Sequence, residues 1–142
     1  MKNLFLDTNI VIDLLAKREP FYNSAAQIFS LADRKKLKIC VSALTFANLN
    51  YILLRGQKSG EAKMILRKLK MLVNIVSLDE KIIGLANNDI DFNDYEDAMQ
   101  DYSALEFGAD IIITRNLKDF QKSKLPVLTA EQFLQSFQVK EV

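Results

Sequence analysis

The sequence predicts an α/β fold in which helices cover both faces of a parallel β-sheet. Short apolar runs such as Leu4–Leu6, Ile39–Val41 and Ile111–Ile113 are separated by segments with helical periodicity. Strands that are apolar throughout are typical of parallel sheets buried on both faces, whereas half-exposed strands alternate. The chain has 142 residues, of which 49% are hydrophobic, so we expect one domain spanning residues 1–142.

The predicted elements follow one another in a regular order. Strands are expected at residues 4–6, 38–41, 73–76, 111–113 and 126–128. Helices are expected to begin at or near Ile10, Ser24, Ser42, Ser59, Ser77, Asp94 and Thr129. Three of these starts, at Ser24, Ser77 and Thr129, match a capping box, in which a Ser or Thr precedes a Glu or Gln by three residues.

Two of the helices have apolar stripes that predict which side is buried. The helix that begins at Ser42 carries Leu44, Ala47, Tyr51 and Leu54 on one side. The helix that begins at Asp94 carries Tyr95, Ala98, Tyr102 and Leu105, and Gly108 is expected to end it.

The composition restricts the chemistry that the protein can perform. The chain has no histidine, which excludes Ser-His-Asp and Cys-His nucleophiles, imidazole acid–base pairs and most zinc sites. Its single cysteine, Cys40, lies in an apolar run and supports neither a disulfide nor a thiolate metal site. There is no run of 18 apolar residues and no secretory signal, so we expect a soluble cytoplasmic protein. Acid–base or metal chemistry would therefore rest mainly on Asp and Glu.

Polar residues directly follow two of the apolar strands. Asp7, Thr8 and Asn9 come after the first strand, and residues 114–116, Thr-Arg-Asn, come after the fourth. Ligands of open α/β sheets bind outside the carboxyl ends of the strands, where these residues are expected to lie. Asp7 also has a structural interpretation, because Asp and Asn are favoured as helix N-caps. The residues alone leave both interpretations open.

Charge is distributed unevenly although the net charge is only +1. Residues 55–70 contain six basic side chains and one acidic one, and residues 79–101 contain eight acidic side chains and one basic one. The basic helix is either a solvated face or a surface that contacts phosphates. Within the acidic segment, Asp94, Asp97 and Asp101 share one side of a helix, beside its apolar stripe.

The spacing of these aspartates points to a cation. Like charges three and four residues apart on a helix repel each other, and a bound divalent cation would turn that repulsion into coordination. The alternative covers only part of the set, because Asp94 and Glu96 fall in the first turn, where acidic residues are favoured regardless of function.

Four motifs resemble the PIN domain, and within it the single-domain toxins of bacterial toxin–antitoxin pairs. They are LFLDTNIVIDLL, VSALTFANLNYIL, DYEDAMQDYSALEFGAD and IIITRNLKDF, and the resemblance extends from Leu4 to Leu128. It implies a three-layer α/β/α sandwich on a central parallel sheet of about five strands. It also implies an endoribonuclease that depends on Mg²⁺ or Mn²⁺, with an RNA substrate, a cognate antitoxin protein and a homodimeric state.

The resemblance also assigns roles to individual residues. The implied metal ligands are Asp7, Asp94, Asp97 and Asp119, and the implied catalytic acids are Asp7, Glu96, Asp97 and Asp119. The residues implied to contact substrate or orient the site are Thr8, Asn9, Asn48, Thr114, Arg115 and Asn116.

One position departs from the family pattern. Asn48 stands where PIN domains usually have a Glu, and a neutral amide oxygen binds a cation less strongly than a carboxylate. This difference keeps a second hypothesis open, that the chain is a catalytically weak or inactive PIN-like module that binds RNA or protein. Two other classes fit less well. Asn9 replaces the second Asp expected of a haloacid-dehalogenase phosphatase, and the acidic pair of a phosphate-receiving signalling domain is missing.

Overall fold

The structure, a computed structural model, describes residues 1–141, with side chains up to Phe137. The strands are β1 (Asn3–Leu6), β2 (Lys38–Ser42), β3 (Asn74–Val76), β4 (Ile111–Ile113) and β5 (Val127–Leu128). The helices are α1 (Thr8–Leu15), α2 (Tyr22–Asp33), α3 (Ala43–Leu53), α4 (Ser59–Lys70), α5 (Glu80–Asn87), α6 (Tyr95–Phe107) and α7 (Ala130–Glu141). A short 3₁₀ helix, Leu117–Phe120, follows β4.

All five strands are parallel and lie in the order β3-β2-β1-β4-β5. The predicted parallel α/β architecture is therefore confirmed. β1 occupies the centre, where Leu4 pairs with Ile39 on one side and with Ile111 on the other. Because the chain runs outward from β1 to β3 and then returns to β4 on the other side, the strand order reverses between β1 and β4. The carboxyl ends of these two strands form the crevice that binds ligands in such sheets.

The pleat of β1 divides the core into two layers. Leu4 and Leu6 face α1, α2, α3 and α7, whereas Phe5 faces α5 and α6. Cys40 belongs to the second layer and is fully buried, which raises the pKa of its thiol to about 12. It acts as a small hydrophobic side chain, as expected. Within residues 1–141, none of the helices has the length and apolar character needed to span a bilayer.

Two of the predicted caps are confirmed. Ser42 caps α3, since its Oγ accepts from the Leu44 N–H at 3.1 Å. Thr129 and Gln132 form a reciprocal capping box at the start of α7, in which the Gln132 N–H donates to Thr129 Oγ1 at 3.1 Å and the Thr129 N–H donates to Gln132 Oε1 at 2.9 Å.

The other two capping boxes are wrong. α2 begins before Ser24, because the backbone of Phe21 is already helical and its carbonyl accepts from the Ala25 N–H. At α5 the cap is Asp79, whose Oδ1 accepts from the Ile82 N–H at 3.0 Å, so Ser77 lies outside the helix.

The predicted apolar stripes of α3 and α6 are also wrong in part. Tyr51 of α3 is 67% exposed, and the buried residues of that helix are Thr45 and Leu49. In α6, Tyr95 is 46% exposed, whereas the helix buries Ala98, Met99, Gln100, Asp101, Ser103 and Ala104. Both helices pack with polar side chains turned inward, toward the end of the sheet where Asp7 lies. Hydrophobic periodicity does not identify a buried face that contains polar residues.

Two glycines allow the same substitution to be tested with opposite expected signs. Gly108 caps α6 with φ +79°, a left-handed conformation in which a Cβ is strained, so Gly108→Ala should destabilise the protein by about 1–2 kcal/mol. Gly84 lies inside α5 with no heavy atom within 4 Å of an added Cβ, so Gly84→Ala should stabilise it by about 0.5–1 kcal/mol. Chemical denaturation of both variants measures the difference. Equal effects of the two substitutions would contradict this assignment.

Candidate active site

Asp7 lies at the carboxyl end of β1 and is 8% exposed. Its Oδ1 accepts from the Thr8 N–H at 2.8 Å, which makes Asp7 the N-cap of α1. Its Oδ2 accepts from Thr114 Oγ1 at 2.7 Å and from Asn9 Nδ2 at 3.3 Å. Asp7 is therefore a helix cap whose carboxylate is also held by a residue from β4's end, and capping does not account for that second set of bonds.

Burial raises the pKa of Asp7 more than its hydrogen bonds lower it. Desolvation is the largest cause, and the bonds from Thr114 and Thr8 and the amide of Gln100 act in the opposite direction. The charge of Asp119 raises the pKa further. The folded protein thus holds a carboxylate where its charge is poorly solvated, an arrangement that a bound cation would stabilise.

Asp97 is the acidic residue on which the charges of the other acids act most strongly. Burial and the surrounding negative charges raise its pKa to about 7. Those charges, in decreasing order of effect, are Asp94, Asp119, Asp7 and Glu96. They come from β1's end, the first turn of α6 and the 3₁₀ helix after β4. Four separate carboxylates therefore act on Asp97, so all the other acidic residues assigned from the sequence lie close enough to influence its pKa.

Two of these acids have well-defined local roles. Asp94 is the N-cap of α6, and its Oδ1 accepts from the Asp97 N–H at 3.0 Å. Asp119 lies in the 3₁₀ helix, which Phe120 anchors by its buried ring. Asp94, Asp97 and Asp119 line a cavity of about 180 Å³ that Lys118 and Lys122 also border. The cavity therefore combines acidic side chains with two lysine side chains at its edge.

Asp101 does not belong to this group, although it shares one side of α6 with Asp94 and Asp97. It is 2% exposed and lines a different cavity, of about 260 Å³, with Asp89 and Lys124. Burial raises its pKa, against the effect of the Ser123 hydroxyl. One helical turn beyond Asp97, the surroundings of Asp101 are Asp89, Ser123 and Lys124, and its charge is not among those that act on Asp97.

The polar residues after β1 and β4 form one hydrogen-bond network around Asp7. Thr114 is fully buried; its Oγ1 donates to Asp7 and accepts from the Asn116 N–H at 3.0 Å. Asn9 donates to Asp7, and its Oδ1 accepts from the Arg115 N–H at 3.4 Å. Thr114, Asn9 and the backbone of residues 115 and 116 therefore orient Asp7, as the sequence predicts for the two strand ends.

The side chain of Arg115 does not join the acidic group. Its Nε lies 2.9 Å from Asp13 Oδ2, and its guanidinium stacks 4.2 Å from the centre of the Phe21 ring. Asp13 is 1% exposed, and burial raises its pKa despite the nearby charges of Arg115 and Arg18. Arg115 thus links the segment after β4 to α1 and α2 and is a structural residue on this side of the site.

Gln100 and Thr45 were missed by reasoning from the sequence. Gln100 is 1% exposed, and its Nε2 donates to Thr45 Oγ1 at 3.2 Å and to Thr8 Oγ1 at 3.3 Å. The two threonine hydroxyls lie 2.9 Å apart. These three residues join α1, α3 and α6 directly beside Asp7. The available signal was position, because Gln100 is three residues after Asp97 and Thr45 is three residues before Asn48.

The donor atoms fit a hard divalent cation. Mg²⁺ and Mn²⁺ prefer oxygen ligands, and the group offers five carboxylates with no nitrogen or sulfur ligand among the assigned residues. In the part of the chain that the structure describes, no three Asp, Glu or Cys side chains are arranged to hold one ion together. Mg²⁺ in proteins keeps several bound waters, so carboxylates of such a site can also hold the ion through water.

The raised pKa of Asp97 predicts how its substitution affects stability at different pH values. Because the folded pKa, about 7, lies above the ordinary value of 3.8, the folded state binds a proton that the unfolded state has lost. The contribution of Asp97 is therefore favourable at low pH and is lost as the pH rises through 7. Asp97→Asn should raise the melting temperature of metal-free protein at pH 8, with a smaller change at pH 5. An equal change at both pH values would contradict this.

The bond between Thr114 and Asp7 can be tested with two variants. Thr114→Val removes the hydroxyl and leaves Asp7 Oδ2 and the Asn116 N–H without this partner, at a cost of about 1–3 kcal/mol. Thr114→Ser keeps the hydroxyl and loses one methyl group, at a cost of about 1 kcal/mol. Chemical denaturation at pH 7 compares the two. If the valine variant is the more stable, the bond does not hold Asp7 as described.

Comparisons with known proteins agree with the fold. The sequence profile of the PIN domain matches residues 3–118. Ribonuclease VapC1 of Aquifex aeolicus (strain VF5) is 27% identical over 139 residues, covering 93% of each chain.

Solved structures with the same fold include VapBC-1 from nontypeable Haemophilus influenzae, with a TM-score of 0.67, 22% identity and coverage of 91% of this chain and 98% of that one. A toxin–antitoxin complex from Klebsiella pneumoniae has a TM-score of 0.66, 23% identity and coverage of 89% and 97%. The profile match covers most of the sequence, and this chain belongs to the PIN domain family.

Proposed function

We propose that this PIN domain is an endoribonuclease that hydrolyses RNA phosphodiesters with a Mg²⁺ or Mn²⁺ ion held by Asp7, Asp97, Asp94 and Asp119. The observation that carries the proposal is the cavity that Asp94, Asp97 and Asp119 line together, where burial and neighbouring carboxylates raise the pKa of Asp97 to about 7. Such a concentration of negative charge in a cavity is costly without a cation. The relative from Aquifex aeolicus, which matches the chain over almost its full length, is named a ribonuclease.

When bound, a divalent cation lowers the pKa of a coordinated water and neutralises charge on a phosphate. The protein's part is to hold the ligands in place. Thr114 and Asn9 fix the orientation of the Asp7 carboxylate, and Asp94 anchors the first turn of α6, where Asp97 lies. Ligands whose orientation is fixed by such bonds need little reorganisation to bind an ion.

Lys118 and Lys122 are suited to contact RNA. Both line the cavity that contains Asp97 and Asp119, and both belong to the segment that follows β4. An ammonium group at the edge of an acidic cavity attracts a phosphate that the carboxylates would otherwise repel. We do not assign a substrate contact to the side chain of Arg115, because its guanidinium is paired with Asp13. Arg115 contributes to the site through its backbone N–H, which donates to Asn9 Oδ1.

We also propose that the protein works as a toxin controlled by a cognate antitoxin, as a homodimer in the cytoplasm. The Klebsiella pneumoniae structure with the same fold is a toxin–antitoxin complex. A surface for a protein partner is offered by exposed apolar side chains on α3 and α4 and on the residues that directly follow each helix. They are Tyr51, Leu54, Met64, Met71 and Leu72.

Cleavage of single-stranded RNA with Mg²⁺ or Mn²⁺ tests the activity. Asp7→Asn and Asp97→Asn keep the shape of each side chain and remove its charge, so each should reduce cleavage by roughly 100-fold or more. Asp33→Asn, an exposed aspartate at the end of α2, is the matched control and should cleave like the wild type. EDTA should abolish cleavage. Wild-type protein that cleaves equally with EDTA, or equal cleavage by the wild type and the two site variants, refutes the proposal.

Expression in a bacterial host tests the toxin role separately. Wild-type protein should arrest growth, and Asp7→Asn protein at the same level should not. Co-expression of the product of a neighbouring gene that binds the protein should restore growth. Growth arrest by both forms would show that the effect does not arise from the proposed site.

A further inference from the structure

Asn48 and Glu96 form a pair between α3 and α6. Asn48 Nδ2 donates to Glu96 Oε1 at 2.6 Å, a short bond of the kind made when the acceptor is charged. The residues are 48 positions apart, and neither is fully buried. The amide group therefore binds an acidic side chain that is exposed and has no capping role.

The pair belongs to a larger contact between the same two helices. Thr45 lies three residues before Asn48 on α3, and Gln100 lies four residues after Glu96 on α6, so each couple occupies one face of its helix. Gln100 donates to Thr45 at 3.2 Å, and Thr45 contacts Thr8 beside Asp7. The Asn48–Glu96 bond is thus one of two polar contacts between these faces of α3 and α6. Of the two, it is the one that involves an acidic residue assigned to the site.

The carboxylate of Glu96 lies directly beside position 48. Its Oε1 is 2.6 Å from Asn48 Nδ2, and Glu96 directly precedes Asp97 in the first turn of α6. A carboxylate at position 48 would be placed against Glu96 and would repel it. The amide of Asn48 has the opposite effect, because it attracts the Glu96 carboxylate and leaves one negative charge where a Glu at position 48 would leave two.

We propose that Glu96 supplies to the metal the carboxylate that position 48 lacks, and that Asn48 is the positioning residue that holds Glu96 there. This inference rests on the proposed metal-dependent function. It means that a carboxylate on α6 serves the site next to position 48, where α3 offers only an amide. The pair then carries one negative charge, where a Glu at position 48 would give two.

Binding of Mn²⁺ to the RNA-free protein, measured by isothermal titration calorimetry, tests this without any catalytic assay. Glu96→Gln should weaken Mn²⁺ binding by roughly tenfold or more, because a charged ligand is lost. Asn48→Ala should weaken it by up to about tenfold, because Glu96 is no longer oriented. Glu106→Gln, on the exposed last turn of the same helix, is the matched control and should bind Mn²⁺ like the wild type.

The decisive variant exchanges the two side chains, as Asn48→Glu with Glu96→Gln. In this variant the new amide at position 96 can donate to the new carboxylate at position 48, so the hydrogen bond is rebuilt in the opposite direction. Most of the Mn²⁺ affinity that Glu96→Gln loses should therefore return. A purely structural role of the pair would not predict this rescue of Mn²⁺ affinity. Thermal unfolding in EDTA verifies that each variant is folded.

The outcomes separate this inference from the proposed function. If wild type and Glu96→Gln bind Mn²⁺ equally while Asp7→Asn binds weakly, the metal site stands and the role of Glu96 is refuted. If Asn48→Ala is folded and binds Mn²⁺ like the wild type, the positioning role of Asn48 is refuted. If the exchange variant is folded and binds no better than Glu96→Gln, the equivalence of the two arrangements is refuted. If wild type binds Mn²⁺ no better than Asp7→Asn, both the inference and the proposed metal site are refuted.

Discussion

The pairing of β1 with β4 is the interaction on which the site depends. Leu6 lies opposite Ile113, and the Asp7 N–H extends the ladder by donating to the Ile113 carbonyl at 2.9 Å. This register places Thr114 within 2.7 Å of the Asp7 carboxylate, although the two residues are 107 positions apart. A slip of one residue would turn Thr114 to the other side of the sheet. The strand register therefore decides whether the Asp7 carboxylate can accept the hydrogen bond from Thr114.

The site concentrates negative charge at the end of an apolar core. Asp7 is buried among bonds that hold its carboxylate, and Asp97 carries a pKa of about 7 because other acids surround it. Because the pKa of Asp97 is raised, its ionisation makes the metal-free protein less stable at higher pH. This cost is consistent with a site organised for a cation, since a purely structural role would be served by neutral side chains at no such cost.

The buried polar contacts beneath the acids give the site its rigidity. Gln100, Thr45 and Thr8 connect three helices by hydrogen bonds between side chains, and Arg115 connects the segment after β4 to α1 through Asp13. Such contacts are directional, so they define relative positions more narrowly than apolar packing alone. The same contacts explain why the apolar stripes of α3 and α6 are poor guides to their buried faces.

The sequence by itself determined the fold class and indicated the acidic residues of the candidate site. Apolar strands alternating with helices require a parallel sheet, and the ends of parallel strands meet at one edge, so Asp7 and Thr114 could be placed together without coordinates. Only the tertiary structure decided which polar neighbours complete the site. It separates Asp101 from Asp97, turns the Arg115 side chain toward Asp13 and joins Asn48 to Glu96. These outcomes depend on the packing angles of helices, which local periodicity does not contain.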